Sequence, residues 1–367
     1  MSEAEKGEFF RLLKRLSDTV GVSGFEDEIR GVIIDELEGL VDELKSDALG
    51  NIIAIKKGSG VGKLMLAAHM DEIGLIITHV EKNGFLRFTG IGGWSERILL
   101  GQRVVVHTER GKIRGVIGAK PPHSLPPEEA KKIVEMKDMF IDIGVSSREE
   151  AEKLGVKVGT IVTLDRDVVR LAGEDVVSGK AFDDRVGLAS MIYTLKLLKN
   201  LDHEISIYAV ATVQEEVGLK GATVAAFSIN PDVAIALDVT AANDVPGVPD
   251  KEKIVELGKG PAIKIMDGGR GGLFISHPKV RNLLIKTAEE KKIPYQLEIL
   301  VGGTTDATAI QIRREGIPAC TISIPTRYIH SPIETLNIVD ALNASKLLAS
   351  SVEKMTENWI KGLKSWV

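Results

Sequence analysis

Apolar residues near the start of the chain recur with the spacing of an amphipathic helix. The segment from Phe9 to Leu16 would place its apolar side chains on one face of a first helix. A second helix is predicted shortly afterwards, with Ser23 as its N-cap and Glu26 three residues later completing a capping box. The first 40 residues or so are therefore predicted to form a helical pair.

Further along, long helical stretches alternate with short runs that are almost wholly apolar. These runs lie at 63–68, 204–213, 232–237, 295–301 and 319–324. Strands that are apolar on both faces and alternate with helices are typical of a sheet covered by helices on both sides. The predicted fold class is therefore α/β.

Residues 73–165 show a different pattern, with many short strands broken by turns such as Lys82-Asn83-Gly84. This pattern predicts a small β-barrel. Because the α/β pattern returns after it, we interpret the barrel as an insertion. The predicted organisation is an α/β domain made of residues 1–72 and 166–367, with a barrel domain at 73–165.

Composition and charge exclude several classes of function. The 367 residues include 47 Lys and Arg against 52 Asp and Glu, a formal net charge of -5, which argues against a nucleic-acid partner. No apolar run reaches the length of a membrane span, and no secretory signal is recognisable at the start. Cys320 is the single cysteine, so no disulfide can form within the chain. We expect a cytoplasmic protein with no membrane partner.

Polar residues with metal-binding side chains follow the predicted strands. Since ligands of open α/β sheets collect beyond the carboxyl ends of the strands, we expect these side chains to meet at one edge. Histidine and carboxylate without thiolate suit zinc first, or cobalt or manganese, at a hydrolytic centre. Two ions would need a shared carboxylate, for which we choose Asp183 because it precedes a helix. The predicted ligands are His69, Asp183, Glu216, Asp238 and His330.

Two further carboxylates are predicted to assist. Neighbouring side chains on extended backbone point to opposite sides, so Glu215 and Glu216 are not expected to bind one ion together. We assign Glu216 to the metal and Glu215 to the role of general base, which takes a proton from water and passes it to the leaving amine. Asp71 is predicted to accept the second ring N–H of His69 and so to fix its tautomer.

Each feature also has a plainer explanation. A pair of glutamates is usually a solvated loop, a histidine after a strand is usually structural, and paired aspartates before a helix usually cap it. The coincidence of several such residues at the ends of apolar strands favours a metal site.

Taken together, these segments resemble the tetrahedral (TET) aminopeptidases, a family of dinuclear metallo-aminopeptidases of archaea and bacteria, over essentially the whole chain. The segments that carry the resemblance are Gly21-Val22-Ser23-Gly24, Ala68-His69-Met70-Asp71, Ala181-Phe182-Asp183-Asp184-Arg185, Val213-Gln214-Glu215-Glu216-Val217-Gly218, Asp238-Val239-Thr240 and Tyr328-Ile329-His330-Ser331.

The resemblance implies a zinc-exopeptidase type of α/β domain with an inserted PDZ-like barrel that helps dimers assemble into a hollow tetrahedron of twelve subunits. It also implies that His69 and Asp238 bind one ion, that Glu216 and His330 bind the other, and that Asp183 bridges them. The peptide bond between Asp183 and Asp184 is typically cis in this family.

One segment departs from the family pattern. The family often has three glycines before Thr-Asp, whereas this chain has Gly302-Gly303-Thr304-Thr305-Asp306. The segment resembles a wall of the substrate pocket, which makes Gly303, Thr305 and Asp306 candidate substrate-binding residues. No charged selector stands out around it, so we expect a preference for an apolar N-terminal residue such as leucine.

The leading hypothesis is a metal-dependent aminopeptidase that trims short peptides inside a self-compartmentalised oligomer, with two divalent ions per subunit. The alternative within the same chemistry is a dinuclear deacylase or carboxypeptidase that acts on N-acyl amino acids. A peptide-binding scaffold with a vestigial metal site is a third possibility. Some family members are labelled endoglucanases, but a glycosidase needs carboxylates about 5 to 10 Å apart on either side of the bond, which adjacent glutamates do not naturally provide.

Overall fold

A computed structural model describes residues 1–124, 126, 128, 131–173, 175–269, 272–363 and 365. It contains a large mixed sheet flanked by helices and a separate closed antiparallel barrel. The predicted α/β fold with a β-barrel insertion is confirmed. Among the described residues, none of the helices combines the length and the apolar character needed to cross a membrane.

The strands of the large sheet come from both sides of the barrel in the sequence. They are β1 (Glu43–Ser46), β2 (Ile52–Lys56), β3 (Lys63–His69), β10 (Val169–Arg170), β11 (Val176–Gly179), β12 (Ser206–Thr212), β13 (Val233–Ala241), β14 (Ala262–Gly269), β15 (Gly272–Ile275), β16 (Gln296–Ile299), β17 (Ala319–Arg327) and β18 (Glu334–Asn337). The barrel strands, which lie between β3 and β10 in the sequence, are β4 (Gly74–Val80), β5 (Leu86–Ile91), β6 (Arg103–Thr108), β7 (Gly111–Gly118), β8 (Phe140–Asp142) and β9 (Ile161–Leu164).

The described α-helices are α1 (Glu3–Asp18), α2 (Asp27–Leu37), α3 (Arg148–Lys153), α4 (Phe182–Leu197), α5 (Lys220–Ile229), α6 (Pro278–Lys291), α7 (Asp306–Gln311), α8 (Ile338–Val352) and α9 (Glu357–Leu363). Helix α2 does not begin with the predicted capping box. Its N-cap residue is Glu26, which makes no side-chain capping bond, and the Ser23 hydroxyl instead donates to Asp71. The capping-box prediction was wrong because Ser23 finds an acceptor in a distant segment.

The centre of the sheet is parallel, in the order β12, β3, β13, β17. Alternate residues of β3 enter two different cores: Leu64 and Leu66 pack with α1, α4 and α8, whereas Met65 and Ala67 pack with α5 and α7. Helices therefore cover both faces of the central sheet, as the apolar runs predicted. Because the four strands run in the same direction, their carboxyl ends meet at one edge.

The strand predicted at 295–301 differs from this pattern. Among the described strands, β16 pairs only with β14. It alternates between the buried Glu298 and the exposed Leu297 and Ile299. The prediction that this run is covered on both faces was wrong, since the strand lies outside the central parallel sheet.

Candidate metal centre

The five predicted ligands come together in one cleft at the carboxyl edge of the sheet. His69 is the last residue of β3, Asp238 lies in β13, and Asp183 lies in the first turn of α4. Glu216 follows β12 and His330 follows β17. These residues line a cleft of about 650 Å³ together with Glu215.

The ligand atoms form two groups that share Asp183. One group consists of His69, Asp183 and Asp238, and the other of Asp183, Glu216 and His330; within each group the ligand atoms lie within 4.8 Å of one another. Nε2 of His69 is 3.0 Å from Oδ1 of Asp183, and Nε2 of His330 is 3.3 Å from Oδ2. The two oxygens of Asp183 therefore face different imidazoles.

The backbone around Asp183 is unusual. Ala181 has a left-handed conformation with φ 56°, and the peptide bond between Asp183 and Asp184 is cis, as the family resemblance implies. Asp184 does not join the ligand groups. Its carboxylate accepts the backbone N–H of His69 at 3.2 Å and that of Gly187 at 3.0 Å. Asp184 thus connects the end of β3 to the start of α4.

Asp71 accepts the second ring N–H of His69, as predicted, but with its backbone carbonyl rather than its carboxylate. Nδ1 of His69 donates to the backbone carbonyl of Asp71 at 3.0 Å, while the nearer carboxylate oxygen of Asp71 is 3.6 Å away. The Asp71 carboxylate accepts the backbone N–H groups of Glu215 at 3.0 Å and Glu216 at 3.2 Å, and the Ser23 hydroxyl at 2.6 Å. The strand ends at His69, so the chain turns and Asp71 faces the backbone of the glutamate pair.

Burial and crowded negative charge shift the pKa values in the cleft. Burial raises the pKa of Glu215 well above its usual range, although His69 opposes the shift. Burial, followed by the charge of Asp183, likewise raises the pKa of Asp238. Burial alone would lower the pKa of His330, but the neighbouring carboxylates of Asp183 and Glu216 outweigh it and raise this pKa to about 11. The site therefore favours positive charge between its carboxylates.

These residues fit divalent cations. The carboxylate oxygen Oε1 of Glu216 is buried without a hydrogen-bond partner and faces Nε2 of His330 at 3.1 Å. A cation between these groups would replace protons that the imidazoles otherwise hold. The Nδ1–H of His69 is bonded to a carbonyl, which leaves its Nε2 directed towards Asp183, the usual arrangement of a metal-binding histidine.

A loop of the barrel touches this centre, which the sequence did not indicate. Trp94 donates its indole N–H to the carbonyl of Gly74 at 2.8 Å, which fixes the loop after β5. The adjacent Gly93 is so close to His330 that an added Cβ would lie 2.9 Å from its Nδ1. Only a glycine leaves this imidazole in place.

The structure brings only part of the predicted substrate wall to the cleft. Gly303 and Thr304 line the cleft, but Thr305 and Asp306 do not. Thr305 is buried at the N-cap position of α7 with its hydroxyl 3.1 Å from that of Thr321, and Asp306 accepts the Thr212 hydroxyl at 2.6 Å. Because α7 begins here, both side chains turn towards the core and neither lines the cleft, so their assignment as substrate-binding residues stays a prediction.

The remaining wall of the cleft was not predicted. Apart from the ligands and Glu215, the described residues that line it carry no charge. Asn243, Thr240 and Thr304 are polar. The apolar lining side chains are Leu219, Val239, Ala241, Ile254, Leu300, Val301 and Ile329. Val239 and Thr240 directly follow the predicted ligand Asp238 in β13, so the sequence indicated that they lie near the site. It gave no such indication for Ile254.

Comparison with known proteins supports an enzymatic site. A model of the M42 glutamyl aminopeptidase family matches residues 50–347. A lysyl aminopeptidase of Pyrococcus furiosus is 42% identical over 352 residues, covering 94% of this chain and 97% of the relative.

Two solved structures are similar to this chain over nearly its full length. An aminopeptidase of the archaeon Desulfurococcus kamchatkensis superposes with a TM-score of 0.94 at 50% identity and covers 99% of each chain. A TET1 peptidase of Pyrococcus horikoshii, which can assemble into a tetrahedron or a large octahedral shell, has a TM-score of 0.84 at 37% identity and covers 95% of this chain and 100% of its own.

Proposed function

This chain belongs to the M42 glutamyl aminopeptidase family and is a peptide-bond hydrolase, and on that premise we propose that it removes single residues from the N-termini of short peptides with the help of two divalent ions. The observation that carries the proposal is the pair of ligand groups that share Asp183. Zinc is the proposed ion, and cobalt and manganese suit the same ligands.

In this proposal His69 and Asp238 would hold one ion, Glu216 and His330 would hold the other, and Asp183 would serve both groups. Divalent ions in such a site supply an activated water and polarise the scissile carbonyl. The protein holds the ligand side chains in fixed orientations. The bond from His69 to the Asp71 carbonyl and the bonds from the Glu215 and Glu216 backbone to the Asp71 carboxylate serve this purpose.

Glu215 is the proposed general base. Its carboxylate Oε2 is 3.9 Å from Nε2 of His69, so it is close to the ligands without belonging to either ligand group. Burial first, and the nearby carboxylates of Asp238 and Asp306 in addition, raise its pKa. A base with a raised pKa can hold the proton taken from water and release it to the leaving amine.

Apart from the proposed ligands and Glu215, the wall of the cleft is uncharged, which supports a substrate with an apolar N-terminal residue. Side chains such as Leu219 and Ile254 offer aliphatic contacts, and the charged groups in the cleft belong to the proposed ligands and the base. A charged substrate side chain would find no described counter-charge apart from these groups. A leucyl or similar N-terminus therefore suits this cleft best.

We also propose that the chain works as a tetrahedral dodecamer built from dimers, through the inserted domain at 73–165, and that it resides in the cytoplasm. The assembly of the Pyrococcus horikoshii relative supports the first part. The buried, unpaired Cys320 agrees with a reducing compartment.

The proposal is tested with a leucyl peptide and the same peptide acetylated at its N-terminus. An aminopeptidase must recognise the free ammonium, so we expect hydrolysis of the free peptide and at least about 100-fold slower hydrolysis of the acetylated one, a difference of about 3 kcal/mol in transition-state stabilisation. Faster hydrolysis of the acetylated peptide would instead identify a deacylase.

A further inference from the structure

Glu334 holds the backbone of two proposed ligands. It is the first residue of β18 and is 2% exposed. Its Oε2 accepts the backbone N–H of Asp183 at 3.0 Å, and its Oε1 accepts the backbone N–H of His330 at 2.9 Å. One carboxylate thus joins two segments that are 147 residues apart in the chain, from Asp183 to His330.

Both segments depart from regular backbone where Glu334 contacts them. His330 has φ 60°, and Ala181 in the Asp183 segment is also left-handed, with φ 56°. The N–H groups of such segments cannot all be satisfied by a strand or helix ladder, and a buried N–H without an acceptor is costly. Glu334 is well placed to supply both acceptors because β18 pairs with β11, which leads directly into the Asp183 segment, with Glu334 opposite Gly179.

We propose that Glu334 is a positioning residue that sets the spacing between Asp183 and His330, and thereby the metal affinity of the centre. The inference rests on the proposed function, since it takes Asp183 and His330 as ligands. Glu334 acts through these two residues and does not belong to either ligand group itself. Residues that orient metal ligands from behind typically change metal affinity about 10 to 100-fold when they are replaced.

The chemistry of the side chain makes the proposal specific. Glutamine has the shape of glutamate, but it offers one oxygen and one NH₂ group, so it can accept only one of the two N–H groups and opposes the other with a donor. Aspartate is one methylene shorter and keeps both acceptor oxygens. We therefore expect Glu334→Gln to disturb the pair of bonds and Glu334→Asp to preserve part of it.

The chain contains a matched control. Asp340 in α8 is also fully buried, and it accepts the backbone N–H groups of Gly258 at 2.7 Å and Gly260 at 2.8 Å. It holds a loop that carries no proposed ligand. Asp340→Asn therefore makes the same chemical change, from carboxylate to amide, in another part of the fold. It shows how the loss of two such backbone hydrogen bonds affects the protein when no proposed ligand is involved.

The experiment compares the wild type with Glu334→Gln, Glu334→Asp and Asp340→Asn in the full chain. Dissociation constants for Co²⁺ are measured by competition with a chromogenic chelator, and amide hydrogen exchange is followed in the peptides that contain Asp183 and His330. We expect about 10 to 100-fold weaker Co²⁺ binding and faster exchange in Glu334→Gln, partial recovery in Glu334→Asp, and unchanged Co²⁺ binding in Asp340→Asn.

Wild-type affinity in Glu334→Gln, or equal weakening in Asp340→Asn, would overturn the role of Glu334 while leaving the proposed function intact. A wild-type protein that binds no Co²⁺ would overturn the proposed metal centre and this inference with it. If Glu334→Gln does not fold, Glu334→Asp decides: weakened Co²⁺ binding in a stable protein supports the role, and wild-type binding contradicts it.

Discussion

Glu215 and Glu216 are neighbours in the chain, but their carboxylates face different histidines. Oε1 of Glu216 is 3.1 Å from Nε2 of His330, whereas Oε2 of Glu215 is 3.9 Å from Nε2 of His69. Only Glu216 belongs to a group of side chains that can hold an ion together. The two residues therefore have different surroundings, as the division into a ligand and a base requires.

This difference predicts opposite effects of two otherwise identical substitutions. Glu215→Gln should leave metal affinity unchanged and lower kcat by about 10² to 10⁴-fold, because it removes a general base. Glu216→Gln should weaken metal binding, because it removes a charged ligand. Steady-state kinetics and metal titration of both variants check this, each variant being the control for the other. An unchanged kcat in Glu215→Gln would show that Glu215 is not the general base.

The contact between the barrel and His330 predicts a steric effect on the metal centre. Gly93→Ala would bring a methyl group within 2.9 Å of the imidazole, so the ring must move and metal affinity should fall. Gly31→Ala, in helix α2, has no atom within 4 Å of the added methyl group and should behave like the wild type or be slightly more stable. Metal titration of both variants tests the prediction, which fails if Gly93→Ala binds metal normally.

The lining of the cleft predicts the order of substrates. Because the described wall of the cleft is uncharged apart from the ligands and Glu215, kcat/KM should be highest for leucyl or similarly apolar substrates and lower for lysyl and glutamyl ones. A panel of aminoacyl reporter substrates measures this order. The lysyl aminopeptidase of Pyrococcus furiosus, which shares 42% identity, is an informative comparison on the same panel. A maximum for a charged residue would show that the cleft does not select the N-terminal side chain as proposed.

The barrel should lose stability in mild acid. Burial first, and the charge of Lys112 in addition, lower the pKa of His107 to about 4, and its Nε2 lies 2.8 Å from the Thr163 hydroxyl. An unfolded histidine has a pKa of about 6.5, so the unfolded chain binds more protons between about pH 6.5 and 4. Stability contributed by the neutral ring is therefore present above pH 6.5 and is lost as the pH falls through this window, by about 3 kcal/mol in total.

Urea unfolding of the barrel at several pH values measures this loss. His107→Gln should flatten the dependence between pH 7 and 4, whereas His79→Gln, at an exposed position of the same barrel, should not. An equal pH dependence in the wild type and His107→Gln would assign the acid sensitivity to other groups.

The sequence predicted the parts of the site that depend on strand direction. His69 and Asp238 lie at the ends of, or within, apolar parallel strands, and parallel strands bring such residues to one edge whatever the details of packing. The partners of the Asp71 carboxylate and of Ser23 could not be predicted in this way. Their hydrogen bonds join segments far apart in the chain, and the capping-box pattern at Ser23 was a local signal that a distant acceptor overrode.

Other differences have similar causes. The sequence around Thr305 and Asp306 suggested a pocket wall, but the start of α7 turned both side chains inwards. The role of Glu334 had a weak signal, since it is a carboxylate four residues after His330, but its second partner Asp183 is visible only in the fold. Residue type and position along a strand indicated where the site lies, whereas contacts between loops could not be predicted from the sequence.

The central claim, a peptidase with two ions that share Asp183, is tested most directly by counting bound metal and measuring leucyl peptide hydrolysis on the same samples. The protein is stripped with a chelator and then titrated with zinc, cobalt or manganese. We predict that hydrolysis disappears with the metal, returns with it, and reaches its maximum at two ions per chain. Full activity in the stripped protein, or a maximum with a single ion bound, would contradict the claim.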